Sequence, residues 1–418
     1  MMAMSDKKRV LILTADAGFG HRSAANAISA ALLERHGEQC QGEIVNPLDD
    51  DRLPNILRRQ QADYDRIVTE LPEVYQLGYQ LGEIRVTSSI AERALIVVLY
   101  ETLRDHVRRC QPHAIVNTYP LYQAPLGAVF ATTKNYIPLL TIVTDLATVH
   151  RLWFHSAIDH CLVPTDAVRD LALKAGISPE KIVITGIPVH PRLAQETRPP
   201  AALRAELGWR QELTTVLAVG SRRVKHLDEV LDLLNHSGLP IQLAVVAGGD
   251  ERLYSQFQAT EWHLPTHVYN FVQDLPTLMH AADLIICKAG GLIVTESLAC
   301  GLPLLLIAVL PGQEVGNAEY VVRGGAGELA QKPVDALQIL FHWLDRGGQL
   351  LAQRAENARR LGRPNAAYDV AELAWQAAER GPQTRAARSI LGRSGLIKFL
   401  NRHAVPWQEK RGLGRREL

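Results

Sequence analysis

Short runs of β-branched and aliphatic residues alternate with longer stretches of helical periodicity along most of the chain. This alternation is typical of βαβ units and of mainly parallel sheets. The first series of predicted strands comprises residues 9–14, 43–46, 114–117, 139–143, 160–163 and 181–184. The second series comprises residues 215–219, 241–246, 268–269, 284–287 and 304–307. The pattern therefore predicts the α/β class, with two Rossmann-like halves of similar size.

The two series are separated by a segment rich in Gly and Pro, residues 186–200, which predicts a linker because neither residue type continues a helix or strand well. We therefore expect an N-terminal domain over 1–190, a C-terminal domain over 200–365 and a C-terminal helix and tail over 366–418. In open α/β sheets, ligands bind beyond the carboxyl ends of the strands. The loops at those ends, and the cleft between the halves, are where we expect the chemistry.

Two segments depart from this pattern. Residues 51–109 are too long for a simple crossover and predict a helical insertion in the N-terminal domain. From residue 381 onward there are nine Lys or Arg and two Asp or Glu, interspersed with aliphatic residues. This composition predicts a basic amphipathic tail that either binds a membrane surface, stays in solvent or packs on the protein body.

The composition of the 418-residue chain is that of a folded protein, with 47% hydrophobic and 21% charged residues. Its net charge of +1 gives no overall attraction to nucleic acid. The five cysteines include no C-x-x-C pair, which argues against a disulfide framework or a zinc knuckle and favours a reducing compartment. The N-terminus lacks the apolar segment of a signal peptide, and no apolar run approaches the ~20 residues needed to span a bilayer.

The first candidate loop follows the first predicted strand and contains Gly18, Gly20 and His21. A third glycine is missing and Asn46, rather than an acid, ends the second strand, so a nicotinamide cofactor is not expected. With a helix predicted to begin at about Arg22, His21 lies at its positive end, which favours a neutral imidazole able to act as a base. The alternative is that His21 only caps or packs.

Asp145 follows the predicted strand 139–143 and faces the same cleft. Its carboxylate can orient His21 or accept the proton itself, although a turn or helix cap is an alternative role. The three histidines that follow at five-residue steps share neither a helix face nor a strand face, so no zinc site is expected. The run of three aspartates at 49–51 is predicted to be a turn rather than a metal-binding motif.

The densest group of motifs lies in the C-terminal half. Lys288, Gly290 and Gly291 form a turn between a strand and a helix, where free backbone N–H groups favour a phosphate. Glu296 lies about one helical turn further on and can accept hydrogen bonds from the vicinal hydroxyls of a ribose. The alternative is an ordinary surface charge.

The next strand-to-helix loop carries Gln313, Glu314 and Asn317. These side chains offer the mixed donors and acceptors that a hexose requires, although Gln313 and Glu314 can also cap a helix. The succession of such residues at corresponding loops of one half favours a nucleotide-sugar site.

Together these motifs resemble the inverting GT-B glycosyltransferases of family 28. The likeness is strongest to the monogalactosyl- and processive glucosyl-diacylglycerol synthases and weaker to the peptidoglycan N-acetylglucosaminyltransferase. It covers most of residues 9–380. The residues that carry it are Gly18, Phe19, Gly20, His21 and Arg22 in the N-terminal half and Lys288, Gly290, Glu296, Gly301, Pro303, Gln313, Glu314 and Asn317 in the C-terminal half. The resemblance implies a GT-B fold, in which two Rossmann-like domains face each other across a cleft.

The resemblance also assigns roles to individual residues. Catalysis is expected from His21 as base, with Asp145 as its orienter or substitute. Donor binding is expected from Gly20, Gly220, Ser221, Arg222, Phe271, Val272, Lys288, Gly290, Gly291, Glu296, Gln313, Glu314 and Asn317, with the uracil on the backbone of 271–272. The acceptor is expected near Tyr75, Tyr79 and Trp153. The loop around Gly220 departs from the family because Arg222 and Arg223 replace its glycines.

The function implied is inverting transfer of a hexose from a UDP-sugar to a membrane lipid, diacylglycerol in particular. Neither a metal nor another cofactor is expected, and nucleic acid is not an expected partner. The enzyme is expected in the cytoplasm, held peripherally on the anionic inner face of the cell membrane by its basic tail. The alternatives are a nucleotide-sugar 2-epimerase on the same fold and a non-catalytic nucleotide-sugar-binding membrane protein.

Overall fold

The computed structural model describes residues 7–16, 19–53, 58, 85–133, 135–221, 223–310 and 312–384. Several predicted features lie outside this part of the chain: Gly18, Tyr75, Tyr79, Arg222, most of the insertion 51–109 and nearly all of the basic tail.

The described strands form two six-stranded sheets, each entirely parallel, and one short antiparallel pair. The strands are β1 (Lys8–Leu13), β2 (Cys40–Val45), β3 (Ala114–Asn117), β4 (Asn135–Tyr136), β5 (Leu139–Ile142), β6 (His160–Val163), β7 (Ile182–Ile184), β8 (Thr214–Val219), β9 (Ile241–Val246), β10 (Thr266–Tyr269), β11 (Leu284–Lys288), β12 (Leu304–Ala308), β13 (Gly327–Leu329) and β14 (Gln383–Thr384). The sheet orders are β2-β1-β3-β5-β6-β7 and β10-β9-β8-β11-β12-β13. The predicted α/β class with two parallel sheets is confirmed.

Helices connect most of the strands, as in βαβ units. They are α1 (Phe19–His36), α2 (Arg85–Cys110), α3 (Gln123–Thr132), α4 (Asp166–Lys174), α5 (Arg192–Gln195), α6 (Pro200–Leu207), α7 (Leu227–Asn235), α8 (Glu251–Ala259), α9 (Leu275–Ala281), α10 (Gly291–Ala299), α11 (Gln313–Arg323), α12 (Pro333–Leu361) and α13 (Ala366–Arg380). Helix α12 is broken by non-helical backbone at 345–348, where two glycines follow each other. The predicted linker contains the short helix α5.

The core lies on both faces of each sheet, as expected for strands buried on both sides. In β1, Leu11 and Leu13 belong to one buried cluster, whereas Val10 and Ile12 belong to the cluster on the opposite face. Helix α13 follows the second sheet in the chain but packs on α1 and the first sheet. The last described helix therefore returns to the N-terminal half.

Parallel pairing brings the carboxyl ends of neighbouring strands to one edge of each sheet. In the first sheet Leu13 pairs with Asn117, and Asn117 pairs with Thr141, so the loops after β1, β3 and β5 lie side by side. Helices α1 and α10, which begin at these edges in the two halves, contact each other. The halves thus face each other across a cleft. Among the described helices, none has the length and apolar content required to span a bilayer.

Candidate active site

His21 lies in the first turn of α1, because this helix begins at Phe19, about three residues before the predicted start. Its Nδ1 is hydrogen-bonded to the hydroxyl of Thr144 at 2.8 Å, and its ring contacts those of Tyr119 and Trp153, with centroids 5.0 and 6.0 Å away. Burial of the ring among these side chains lowers the pKa of His21 to about 4. The imidazole is therefore neutral at physiological pH, although a hydrogen bond between the ring and the backbone of Thr118 opposes the lowering of its pKa.

Asp145 lies next to Thr144 at the end of β5. The indole N–H of Trp153 donates to its Oδ2 at 2.6 Å, while burial raises its pKa to about 7 against the effect of that hydrogen bond. The predicted role of Asp145 as the orienter of His21 is wrong for this structure, because Thr144 occupies the Nδ1 side of the ring. Asp145 retains the chemistry of a second proton acceptor, since a carboxyl group with a pKa near neutrality can exchange protons.

Trp153 was expected to meet the acceptor, and this expectation is wrong. The side chain of His150 accepts a hydrogen bond from Leu152 N–H and starts a 3₁₀ turn over Arg151–Trp153 that turns the indole into the core. Trp153 is 0% exposed. The indole contacts Asp145 and the ring of His21, so it supports both of these side chains.

Lys288 ends β11 and forms an ion pair with Glu314 in the first turn of α11. The other carboxylate oxygen of Glu314 accepts a hydrogen bond from Leu310 N–H at 2.9 Å. Both oxygens of Glu314 thus bind protein groups, rather than being free for a sugar as predicted. A Cβ added at Gly290 would lie 2.7 Å from the ammonium of Lys288, so the ion pair holds this positive charge directly over the Gly290 backbone. Such an arrangement favours a diphosphate.

Asn317, also predicted to bind the hexose, is 4% exposed. Its amide donates to the carbonyl of Ala289 at 3.0 Å. The residue therefore fixes the turn that leads to Gly290 and Gly291, where α10 begins. Gln313 is the first residue of α11.

Glu296 lies in the second turn of α10, and its carboxylate accepts no hydrogen bond from the described residues. Burial alone raises its pKa to about 7. An enclosed carboxylate without a partner is costly to the protein. Donors from outside, such as the paired hydroxyls of a ribose, would satisfy it.

Phe271 follows β10 and is 70% exposed, which is unusual for a phenylalanine. Its ring approaches Gly249 in the loop after β9, where an added Cβ would lie 3.8 Å from the phenyl edge. Val272, by contrast, packs against the core. The exposed ring gives a planar base a surface to stack on, next to the backbone of 271–272 that was predicted to bind it.

The loop after β8 is held by the loop after β9. Gly220 N–H donates to the carbonyl of Val246 at 2.8 Å, and Gly248, with φ of +67°, lies so close that a Cβ there would be 2.2 Å from the Gly220 carbonyl. Ser221 follows, and its hydroxyl accepts a hydrogen bond from Arg223 N–H at 3.3 Å. A glycine at 248 is therefore a packing requirement, and Ser221 contributes a hydroxyl to the loop after β8.

Gly20 and Gly220, both predicted to contact the donor, differ in their surroundings. A Cβ at Gly20 would meet nothing within 4 Å, whereas one at Gly220 would lie 2.9 Å from side-chain carbons of Leu227 and Leu253. We expect Gly20→Ala to keep the melting temperature of the native protein but to lower kcat/KM at least about tenfold, because the added methyl group occupies space needed by the ligand. Gly220→Ala should lower the melting temperature by overpacking. Thermal unfolding and turnover of both variants test this contrast, and full activity of Gly20→Ala would contradict it.

Sequence reasoning assigned no role to Thr144, although it stands in the same motif as Asp145, and it did not single out the pair Gly248-Gly249. The glycine pair had a usable signal, since it stands between strand β9 and helix α8 just as Gly290-Gly291 stands between β11 and α10. The hydrogen bond of Thr144 to His21 had no such signal, because the two residues are 123 positions apart in the chain.

The three aspartates at 49–51 have protein partners. Asp49 ends a 3₁₀ turn and accepts a hydrogen bond from Asn46, and Asp50 pairs with Arg52 at 2.6 Å. The predicted turn is confirmed. Among the described residues, no group of three His, Cys, Asp or Glu side chains is arranged to hold a metal ion.

Solved structures with the same architecture support the GT-B fold. MurG of Acinetobacter baumannii covers 88% of this chain and 99% of its own, with a TM-score of 0.58 and 18% identity. The UDP-GlcNAc 2-epimerase of Neisseria meningitidis, bound to UDP-GlcNAc, covers 88% and 100%, with a TM-score of 0.55 and 15% identity. The predicted GT-B fold is confirmed, but transferases and epimerases share it, so the fold by itself does not give the reaction.

Matches to sequence families distinguish between a transferase and an epimerase. A model of the monogalactosyldiacylglycerol (MGDG) synthase family matches residues 21–189, and the C-terminal domain of glycosyltransferase family 28 matches residues 214–372. The two halves and their cleft are those of a glycosyltransferase. A probable chloroplastic MGDG synthase of Glycine max is 32% identical over 87% of this chain and 70% of its own length, and MGDG synthase 1 of Arabidopsis thaliana is 30% identical over the same shares. The chain belongs to the MGDG synthase family.

Proposed function

We propose that this glycosyltransferase transfers galactose, with inversion, from UDP-galactose to the free hydroxyl of diacylglycerol. The sugar and the acceptor are those named in the relatives that align over most of the chain. The observation that carries the proposal is the position of His21. Its neutral imidazole, held at Nδ1 by Thr144, lies where the N-terminal half meets the glycine turn that begins α10.

In this mechanism Nε2 of His21 accepts the proton of the diacylglycerol hydroxyl as its oxygen bonds to the anomeric carbon. The bond from that carbon to the diphosphate breaks on the opposite face, and its electron pair leaves with UDP, which inverts the configuration. Negative charge then grows on the diphosphate. Lys288 and the free N–H groups at the start of α10 are placed to stabilise it. We infer that the protein's own charges suffice, as predicted from sequence, without a metal ion.

Donor binding in this proposal uses the three features of the C-terminal half. The uracil stacks on Phe271, the ribose hydroxyls donate to Glu296, and the diphosphate lies between Ser221 and the Gly290-Gly291 turn. The unpartnered carboxylate and the exposed aromatic ring support these assignments, because both are energetically poor in the absence of a ligand.

We further propose that the enzyme works at the surface of an anionic membrane. The segment 381–418 carries a net charge of +7, from nine basic and two acidic residues, while the rest of the chain carries −6, since the total is +1. Each basic residue near an anionic bilayer contributes on the order of 1 kcal/mol. Attraction to the membrane would therefore come from this segment.

The test is an assay of the purified full chain with vesicles that contain diacylglycerol. UDP-galactose, UDP-glucose and UDP-GlcNAc, each radiolabelled in the sugar, are offered separately, and the lipids are resolved by thin-layer chromatography. We expect a β-linked galactolipid from UDP-galactose, formed faster on anionic than on neutral vesicles. Absence of any labelled lipid with all three donors would refute the transfer. An epimerised sugar nucleotide formed without acceptor would identify the alternative enzyme, and UDP binding without any turnover would indicate a non-catalytic binding protein.

A further inference from the structure

Residues 144–149, here called the coupling loop, leave the first sheet after β5 and enter the C-terminal half. Leu146 is 5% exposed and belongs to the buried cluster that also holds Val294 of α10 and Ala318 of α11. An apolar side chain of the N-terminal half is thus part of the core of the other half. The hydroxyl of Thr165 fixes the loop from its own side by donating to the Leu146 carbonyl at 3.2 Å.

Two further contacts of the coupling loop reach the donor side of the cleft. The carbonyl of Thr144 lies 3.9 Å from the position of a Cβ added at Gly291, the first residue of α10. A Cβ added at Gly316 of α11 would lie 3.0 Å from the backbone nitrogen of Thr148 and still closer to its hydroxyl. Only glycine fits there, so the loop packs directly on the backbone of both donor-side helices.

The coupling loop also contacts both candidate proton acceptors of the site. Asp145 is part of the loop, and His21 is hydrogen-bonded to it. The hydroxyl of Thr144 is bonded to Nδ1 of His21 at 2.8 Å, and Asp145 is bonded to Trp153 at 2.6 Å. A shift of the loop relative to the first sheet would therefore turn the imidazole of His21. Proton transfer depends steeply on such geometry, and a misplacement of about 1 Å can cost about 100-fold in rate.

We propose that the C-terminal half seats the coupling loop and thereby fixes the imidazole of His21, which makes Thr144 and Leu146 positioning residues for the transfer reaction. This inference rests on the proposed function, because that function makes His21 the base. It goes further in linking the donor-side helices to the orientation of that base. Binding of a ligand in the donor site then changes the environment of the His21 imidazole through Leu146 and Thr144.

The hydrogen bond between Nδ1 of His21 and the hydroxyl of Thr144 is compatible with the form of the imidazole that the proposed reaction needs. A neutral imidazole carries one N–H, and the tautomer with this hydrogen on Nδ1 leaves the lone pair of Nε2 free for the acceptor proton. In the proposed arrangement Nδ1–H donates to the hydroxyl oxygen of Thr144. Loss of that oxygen removes the preference for this tautomer as well as the anchor of the ring.

The first experiment compares Thr144→Val, which keeps the shape but lacks the hydroxyl, with Thr144→Ser, which keeps it. We expect Thr144→Val to lower kcat about 100-fold with a donor KM within about twofold of the native value, and Thr144→Ser to keep most of the activity. In ¹⁵N spectra of histidine-labelled protein, the native His21 should show a protonated Nδ1, and only Thr144→Val should lose that signature. Equal losses in both variants, or native activity in Thr144→Val, would overturn the positioning role.

The second experiment follows the His21 ¹⁵N signals while UDP is added to the full chain. We expect UDP to shift these signals in the native protein and to leave them unchanged in Leu146→Ala, although UDP binds both with similar affinity by calorimetry. Leu193→Ala is the matched control, because Leu193 is in the same buried cluster but outside the coupling loop. It should lose stability yet keep the UDP-induced shift.

Persistence of the shift in Leu146→Ala would overturn the coupling. These spectra need no turnover, so they separate this inference from the proposed function. Should the native protein form no galactolipid while the shift still depends on Leu146, the proposed reaction fails and the coupling stands.

Discussion

Replacement of His21 with Ala is expected to lower kcat for lipid glycosylation by about three orders of magnitude, within the range attributed to a positioned base. Affinity for UDP should stay within about twofold, because the proposed donor site lies in the other half of the cleft. Transfer rates at saturating donor and acceptor, together with calorimetric titration of UDP, provide the measurement. Retention of more than about a tenth of native kcat would exclude His21 as the base.

A matched control for this variant is His106→Ala, since His106 lies on α2, outside the candidate site. It should keep native turnover. A more specific check is the dependence of kcat on pH, because Asp145 is the other candidate proton acceptor of the site. A base works only when unprotonated, so kcat falls as pH drops below its pKa.

His21 and Asp145, the two candidate bases, differ in pKa. Burial holds the pKa of His21 at about 4 and raises that of Asp145 to about 7. If His21 is the base, kcat should stay flat from pH 8 to about 5. A decline that begins near pH 7 at saturating substrates, and that survives in His21→Ala, would assign the proton transfer to Asp145.

The sheets were predictable from sequence because their strands are buried on both faces. Such strands are continuous apolar runs, and those at 114–117, 160–163 and 241–246 were placed without error. The strands β4, β13 and β14 were missed because each has only two or three residues and includes polar ones, whereas the equally short β7 is entirely aliphatic. The start of α1 was misplaced because Phe19 and Gly20 are helical despite the glycine.

The site was predictable only as far as local motifs reach. The turn at Gly290-Gly291 and the carboxylate of Glu296 follow from their order along one strand and helix. The ion pair of Lys288 with Glu314 and the hydrogen bond of Asn317 to Ala289 depend on how α11 packs beside β11, and sequence spacing does not encode that packing. The donor-site roles assigned by resemblance therefore remain predictions, and two of the side chains concerned, Glu314 and Asn317, bind protein groups instead.

Glu296→Gln is expected to weaken UDP binding by about 10- to 100-fold, since hydrogen bonds to a charged acceptor contribute about 1.5–3 kcal/mol. The amide keeps the size of the side chain but removes the charge that attracts two hydroxyl donors. The native protein should also discriminate against 2′-deoxy-UDP, and the variant should bind UDP and its deoxy form almost equally. Calorimetry with both ligands measures this, and equal discrimination in the two proteins would place the ribose elsewhere.

The pH dependence of UDP affinity should also differ between the native protein and Glu296→Gln. Burial raises the pKa of free Glu296 from 4.5 to about 7, and hydroxyl donors favour the ionised form, so bound ligand should lower that pKa again. Native affinity for UDP should therefore fall as pH drops from 8 to 6, with release of a proton on binding, whereas Glu296→Gln should show neither effect. Titrations at pH 6 in two buffers of different ionisation enthalpy measure the proton release.

Without ligand, the raised pKa means that the folded protein binds this proton more tightly than the unfolded chain does. The free energy of unfolding therefore decreases as pH rises from about 4.5 to about 7, and the loss persists at higher pH. Glu296→Gln, which is neutral throughout, should melt at a higher temperature than the native protein at pH 8 and lose this advantage at pH 4. A variant that is more stable yet binds UDP poorly would show that the enclosed carboxylate is kept for the ligand; lower stability at pH 8 would mean instead that Glu296 supports the fold.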